Sequence, residues 1–199
     1  MQEYFLEESS LVQQEGSAKR KFRLIKVFSI ISYVCAVIML ILFFNFYSLE
    51  NFHFLGFFIQ VLLPFGMFLA TGILLGRYKN KLYVDYDYTL VTGSLRISKV
   101  INKSKRRGFM NFDISNIIQL GKYGSASYEK ISKSPNVKTF ILTSNVTPSE
   151  NKDFFYLHVS HGDGQRLLVL ECTEGFMATI LRYSNRTILE KDYNKKWYT

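Results

Sequence analysis

The sequence predicts a membrane protein in which two transmembrane helices precede an α+β domain. Two uncharged apolar runs, each long enough to cross a bilayer, lie within the first 76 residues. From residue 81 onward the apolar residues alternate with polar ones, as they do in half-buried strands. Near the C-terminus the apolar residues recur at helical spacing, which predicts one amphipathic helix after the strands.

Charge divides the 199 residues into three predicted segments. Segment 1–26 carries five bases and four acids, segment 27–76 carries only Glu50, and segment 77–199 carries 20 bases and 11 acids. The net charge of +9 therefore belongs to the C-terminal domain, which favours anionic partners such as lipid headgroups or an acidic protein. Nucleic acid is not expected as a partner, because the bases are scattered and no known reader motif occurs.

The first segment is short and mixed in composition. Its apolar residues include Tyr4, Phe5 and Leu11. They fit either a small amphipathic turn on the membrane surface or a disordered tail.

The two apolar runs predict a helical hairpin. They cover residues 27–47 and 54–76, which are 21 and 23 residues. About 20 helical residues cross a hydrocarbon core of roughly 30 Å, and a backbone in lipid must satisfy its own hydrogen bonds. The stretch "YSLENFHF" then forms the tip. Pro64 and Gly66 are interpreted as a tolerated bend, because a substrate path normally requires ionisable groups that neither span contains.

The flanking charges predict the orientation of the hairpin. The first run follows "AKRKFRLIK" and the second precedes "GRYKNK", whereas the tip contains no lysine or arginine. Because lysine and arginine next to a span stay on the cytoplasmic side, both termini are predicted to lie in the cytoplasm. We therefore expect a cell-membrane protein with two spans, whose first partner is the lipid bilayer.

The C-terminal domain is predicted to contain about six or seven antiparallel strands, as a sheet or partly open barrel capped by a helix. In the first strand Leu82, Val84, Tyr86, Tyr88 and Leu90 share the core face. The remaining elements are strands over 95–101, 109–120, 138–144, 154–160 and 165–171, a loop over 121–136, and a helix over 173–184. Thr173 is the predicted N-cap of that helix, and its core stripe is Phe176, Met177, Ile180 and Leu181.

This order of elements resembles bacterial pleckstrin-homology-like (PH-like) domains. The resemblance rests on a tyrosine-rich first strand with Tyr86 and Tyr88, a second strand with Gly93, Leu95 and Ile97, the motif "DISNI" over 113–117, and the closing helix. The chain is similar over residues 27–190 to a family of Gram-positive bacterial membrane proteins with a two-helix anchor and such a domain. The resemblance implies a PH-like fold.

One basic stretch is the candidate contact site. Lys103, Lys105, Arg106 and Arg107 lie in a predicted turn between two strands. Eukaryotic PH domains often bind lipid phosphates through a basic hairpin loop, so the resemblance implies contact with anionic headgroups, with about 1 kcal/mol for each base. The alternative is a turn that only promotes solubility and protects a sheet edge.

No catalytic, metal or cofactor site is predicted. His158, His161 and Asp163 do not form a metal site, because their spacing places strand residues on opposite faces. Asp85 and Asp87 are expected to be solvated or paired with Arg96 across the hairpin.

The sequence therefore favours a non-enzymatic, membrane-anchored interaction or scaffold module that presents a PH-like domain to a membrane or cytoplasmic protein partner. One alternative is an anionic-lipid-sensing domain that uses the basic loop. Another is a subunit of a membrane enzyme or transporter, and a homo-oligomer is left open.

Overall fold

The computed structural model describes residues 4–46, 54–162, 164–184 and 187–190. The predicted tip lies outside these ranges except for Phe54. Two compact units are present: a helical unit, Gln14–Tyr83, and a β unit made of Met1–Gln13 together with Val84–Thr199. The unit boundaries lie at residues 13 and 83, whereas the predicted segment boundaries lie at residues 26 and 76. The β unit also contains the residues that precede the helices in the chain.

The helical unit contains two helices long and apolar enough to cross a membrane, over Glu15–Leu42 and Phe58–Lys81. Its elements are α1 (Glu15–Phe46), α2 (Phe54–Phe57), a π-helical turn (Phe58–Leu62), α3 (Leu63–Tyr78) and a 3-10 turn (Lys79–Lys81). Helix α1 begins earlier than the apolar run, so the predicted basic flank is helical. At 1.5 Å per residue its 32 residues extend about 48 Å, which exceeds a bilayer core of roughly 30 Å.

The π-helical turn has a simple cause in the sequence. Pro64 follows it and has no backbone N–H to donate to the carbonyl of Gln60. The proline ring would also clash with that carbonyl in a regular α-helix. A wider turn before the proline relieves the clash, which agrees with the predicted tolerated bend.

The two long helices approach each other through small residues. The Ser29 hydroxyl donates to the backbone carbonyl of Gly72 over 2.8 Å. A Cβ added at Gly72 would lie 2.9 Å from Cε1 of Tyr33, so only glycine leaves room for this ring. Close backbone approach at small residues is typical of helix pairs in membranes.

The first sheet is antiparallel and has the order β1-β2-β3-β4. Its strands are β1 (Phe5–Ser10), β2 (Val84–Val91), β3 (Ser94–Ile101) and β4 (Lys105–Asp113). Thr92 and Gly93 connect β2 to β3 with φ values of 43° and 82°. Two consecutive positive φ values are the signature of a tight type I′ hairpin, and glycine adopts the second without strain.

The second sheet has the order β5-β7-β8-β6. Its strands are β5 (Ile117–Lys122), β6 (Val137–Ile141), β7 (Asp153–His161) and β8 (Gly164–Cys172). The β7–β8 pair is the predicted hairpin, but β6 pairs with β8 in parallel. The expectation of purely antiparallel pairing is therefore wrong for β6, because a long connection returns the chain from β6 to the start of β7.

The inner faces of both sheets form one core, which helix α5 (Glu174–Tyr183) completes. The predicted core face of β2 is confirmed for Val84, Tyr86, Tyr88 and Leu90, but the strand is not half-buried, because its other face is largely covered as well. Phe176, Met177 and Ile180 of α5 are fully buried, and burial of each such side chain contributes roughly 1.5–3 kcal/mol. The predicted cap is also confirmed: Thr173 Oγ1 accepts from the N–H of Phe176 over 3.2 Å.

Two further segments differ from expectation. Residues Phe5–Ser10 form edge strand β1, whose register places Ser10 opposite Tyr86, rather than a surface turn or disordered tail. The predicted long loop contains helix α4 (Ala126–Ser132). Ser125 begins that helix as an N-cap by accepting from the N–H of Tyr128, and the Tyr128 ring lies 5.7 Å from that of Tyr156.

Candidate functional site

The predicted basic loop is divided between a turn and a strand. Lys103 lies in the turn with a positive φ of 52°, whereas Lys105, Arg106 and Arg107 lie on β4. All four side chains are exposed. Because side chains alternate along a strand, Arg106 points to one face of the sheet and Lys105 and Arg107 point to the other.

Arg106 is already engaged by carboxylates. Its guanidinium lies 2.5 Å from Asp87 Oδ2 and 3.1 Å from Glu7 Oε1. Attraction to Asp87 is the main cause of the raised pKa of Arg106. Asp85 and Asp87 were expected to be solvated or paired with Arg96. Both are buried instead, at 2% and 5% exposure, and Asp87 pairs with Arg106, whereas the register places Arg96 opposite Thr89. Arg106 is thus less available to an anionic ligand than Lys105 and Arg107.

A row of cations and aromatic rings lies on the face of the first sheet that is opposite to Arg106 and continues onto the second sheet. The Lys99 ammonium lies 4.2 Å from the centroid of Phe109, whose ring is 5.6 Å from that of Phe140. The Arg166 guanidinium lies 5.9 Å from the Phe140 centroid. Burial lowers the pKa of Lys99. We call Lys99, Phe109, Phe140 and Arg166 the cation–aromatic row; it joins the two sheets at the level of β6.

The candidate metal residues do not form a site within the described part of the chain. Asp163 lies outside the described residues. His158 contacts the Gln165 amide oxygen over 3.0 Å, and the His161 ring packs edge-on against Phe112. Among the described residues no group of three histidine, cysteine or acidic side chains has a geometry able to hold a metal ion.

Glu171 on β8 is a fully buried carboxylate that accepts five hydrogen bonds. Its Oε2 accepts from Ser10 (2.6 Å), Thr143 (2.5 Å) and Asn145 (2.8 Å), and its Oε1 accepts from the N–H (2.8 Å) and hydroxyl (2.5 Å) of Ser149. We call these five residues the polar clamp. Burial alone would raise the pKa of Glu171, but the hydrogen bonds from Ser10, Ser149 and Thr143 outweigh it and lower the pKa.

Further polar contacts hold β1 and the residues after it in place. Glu8 accepts from the N–H of Thr173 over 2.8 Å and pairs with Lys152 at 3.4 Å. The N–H of Val12 donates to Asp85 Oδ1 over 2.9 Å. The N-terminal strand is therefore fixed to β2, to β8 and to the start of α5 by its polar residues.

An apolar groove lies on the outer face of the second sheet. It encloses about 270 Å³ and is lined by Tyr123, Ile141, Thr143, Asn145, Val146, Phe154 and Val169. Of the seven large apolar side chains described as exposed in the β unit, three line this groove: Tyr123, Ile141 and Val146. Val146 is 94% exposed. Sequence patterns did not reveal this groove, because its walls come from the residue after β5, from β6, β7 and β8, and from the 143–149 loop.

Comparison with protein families supplies the assignment. A model described as "Bacterial PH-like domain (DUF6106)" matches residues 2–190. The chain belongs to this bacterial PH-like family. No curated protein and no solved structure matched the chain.

The match covers both units of the PH-like protein. It includes strand β1, the helices and every later strand, so the helices inserted between β1 and β2 belong to the region that defines the family. The predicted resemblance to a PH-like domain is confirmed.

Proposed function

We propose that this PH-like protein is a non-enzymatic, membrane-anchored interaction module whose β unit holds a protein partner in the apolar groove at the cytoplasmic membrane surface. The observation that carries the proposal is the concentration of exposed apolar side chains in one concave site. Isolated exposed apolar residues are ordinary on soluble surfaces, whereas a contiguous patch marks an interaction site. Among the described residues no charged side chain lines the groove, which suits an apolar anchor of a partner protein.

Two observations support the membrane anchor and its orientation. Only 11% of each apolar helical window is buried within the protein, which leaves the remainder for lipid. Both ends of the helical unit continue into the same folded β unit, which favours a single side of the membrane for both ends. The basic residues Lys19–Lys26 and Arg77–Lys81 favour the cytoplasmic side for those ends.

Site-specific photocrosslinking in intact membranes tests the proposal. A photoreactive amino acid is placed at Val146 in the groove or at Ile118, which is 42% exposed on β5 and does not line the groove. We expect a discrete adduct with another protein from position 146 and none from the matched position 118. Equal labelling from both positions, or adducts with lipid alone, would exclude the groove as the partner site.

A second function, contact with anionic lipid, is favoured by the position of the basic turn. The register pairs Val84 with Ile101, and Ile101 with Lys105. The turn that carries Lys103 therefore lies at the end of the first sheet where the chain returns from the helical unit. Lys105 and Arg107 would supply more of the attraction than Arg106, because Arg106 is paired with Asp87.

Lipid contact is tested in the full-length protein. A polarity-sensitive dye on a cysteine introduced at Ser104 should shift its emission in nanodiscs that contain anionic lipid, and not in neutral ones. Replacement of Lys103, Lys105 and Arg107 by alanine should remove the shift, whereas Arg106→Ala should remove much less of it. A triple variant with alanine at Lys130 on α4, at Lys133 just after α4 and at Arg182 on α5 is the charge-matched control. A shift that persists in the triple variant would exclude this role.

A further inference from the structure

Strand β6 has a free edge beside the apolar groove. It is the last strand of the second sheet and pairs only with β8 among the described strands. The N–H of Leu142 donates to the Val169 carbonyl over 2.8 Å. Since alternate residues of a parallel strand bond the same neighbour, Lys138 and Phe140 direct their backbone groups to β8, and Thr139 and Ile141 direct theirs to the free edge.

The two faces of β6 differ in chemistry. Ile141, which is 61% exposed, lines the uncharged groove on the outer face. On the inner face Phe140 belongs to the cation–aromatic row, and Lys138 stands opposite Arg166 in the register. A strand added along this edge would alternate in the same way, with every second side chain directed to the groove and the others toward cations.

We propose that β6 binds an extended segment of a partner protein whose residues alternate between apolar and acidic. The backbone of the segment would extend the second sheet, its apolar side chains would enter the groove, and its carboxylates would face Lys138 and Arg166. Backbone pairing gives such a site affinity and the side-chain pocket gives it selectivity. The proposal rests on the proposed function and specifies how the partner binds there.

Synthetic peptides provide the test, with the full-length protein in nanodiscs. The probe is a labelled peptide, Ser-Glu-Val-Glu-Leu-Glu-Ser, followed by fluorescence anisotropy. One control has lysine in place of every glutamate, and another groups the same residues in blocks. Two further peptides carry backbone N-methyl groups on alternate residues, one on each edge of the extended chain.

The alternating acidic peptide should bind at least about tenfold more tightly than the lysine and block controls. If the peptide pairs with β6 through one of its edges, one N-methylated peptide should no longer bind and the other should still bind. Ile141→Glu should weaken binding about tenfold, whereas Ile118→Glu, an equally drastic change at an exposed site outside the groove, should not. Both variants are checked for unchanged thermal unfolding.

Two results would overturn the inference: no binding of the alternating peptide up to about 1 mM, or equal binding of both N-methylated peptides. If either occurs while crosslinks still form from Val146, the groove binds a partner in another way and the proposed function stands. Loss of the crosslinks from Val146 would instead remove the proposed function itself.

Discussion

Glu171 on β8 joins β1 and the connection between β6 and β7, so its replacement by glutamine should destabilise the β unit strongly. The substitution keeps the size of the side chain but exchanges one acceptor oxygen for an NH₂ donor. Every group around the carboxylate is a donor, and the backbone N–H of Ser149 cannot turn away. Whichever way the amide is oriented, at least one buried donor loses its acceptor.

The expected loss follows from the strength of these bonds. A hydrogen bond to a charged acceptor contributes roughly 1.5–3 kcal/mol, and an unsatisfied buried donor adds a cost of similar size. We expect Glu171→Gln to lower the free energy of unfolding by about 3 kcal/mol. Pulse proteolysis of the full-length protein across a urea gradient measures this as a lower midpoint.

The matched control is Glu150→Gln in the same connection. Glu150 is exposed, so its change should cost no more than about 0.5 kcal/mol. If both variants unfold at the same urea concentration, the polar clamp does not stabilise the fold as argued.

The effect of pH gives an independent test of the Glu171 charge. The folded state lowers the pKa of this group below its ordinary value of 4.5. A depressed pKa stabilises the folded state above the unfolded value, and the stabilisation is lost as the pH falls through the folded value. The difference in stability between wild type and Glu171→Gln should therefore be full at neutral pH and should narrow below about pH 4.5.

Three further changes test other parts of the structure. Gly121→Ala places a Cβ 2.8 Å from the Tyr156 ring and against the Glu190 carboxylate, so the β unit should unfold at a lower temperature. The control is Gly124→Asn, which should change the unfolding temperature little, because Gly124 has a positive φ of 80° and open space around it. Gly72→Leu should separate the two long helices. Cysteines introduced at Ser29 and Gly76 should then form a disulfide in lower yield, whereas the control Gly66→Leu, with open space around the site, should leave the yield unchanged. A chain in which residues 4–13 are joined to 84–190 by a short linker should resist protease, whereas 84–190 alone should be degraded; equal resistance would show that β1 is dispensable.

The elements whose apolar pattern is local were predictable. Strand β2, the β7–β8 hairpin and helix α5 each show their own period and their own turn or cap, and they form close to the expected residues. Strand β1 could not be identified in this way. Two of its inward-facing residues, Glu8 and Ser10, are polar, so the segment alone does not show the apolar pattern of a core strand. Their partners, Thr173 and Glu171, lie more than 160 positions later in the chain.

The candidate site was harder to predict for the same reason. Periodicity identifies a strand but not its neighbour, so neither the parallel position of β6 nor its free edge is visible in the sequence. Arg106 was assigned to a turn because lysine, serine and arginine surround it, yet its register on β4 brings it to Asp87. The exposed Val146, flanked by polar residues in "SNVTP", is the one local signal of the groove.

The position of β1 imposes an order on biosynthesis. This strand is synthesised before the two long helices, and Glu171, which helps to hold it, is synthesised after them. Ser10 and Glu171 are 161 positions apart, so the strand must stay without this partner while both apolar segments and most of the β unit are synthesised.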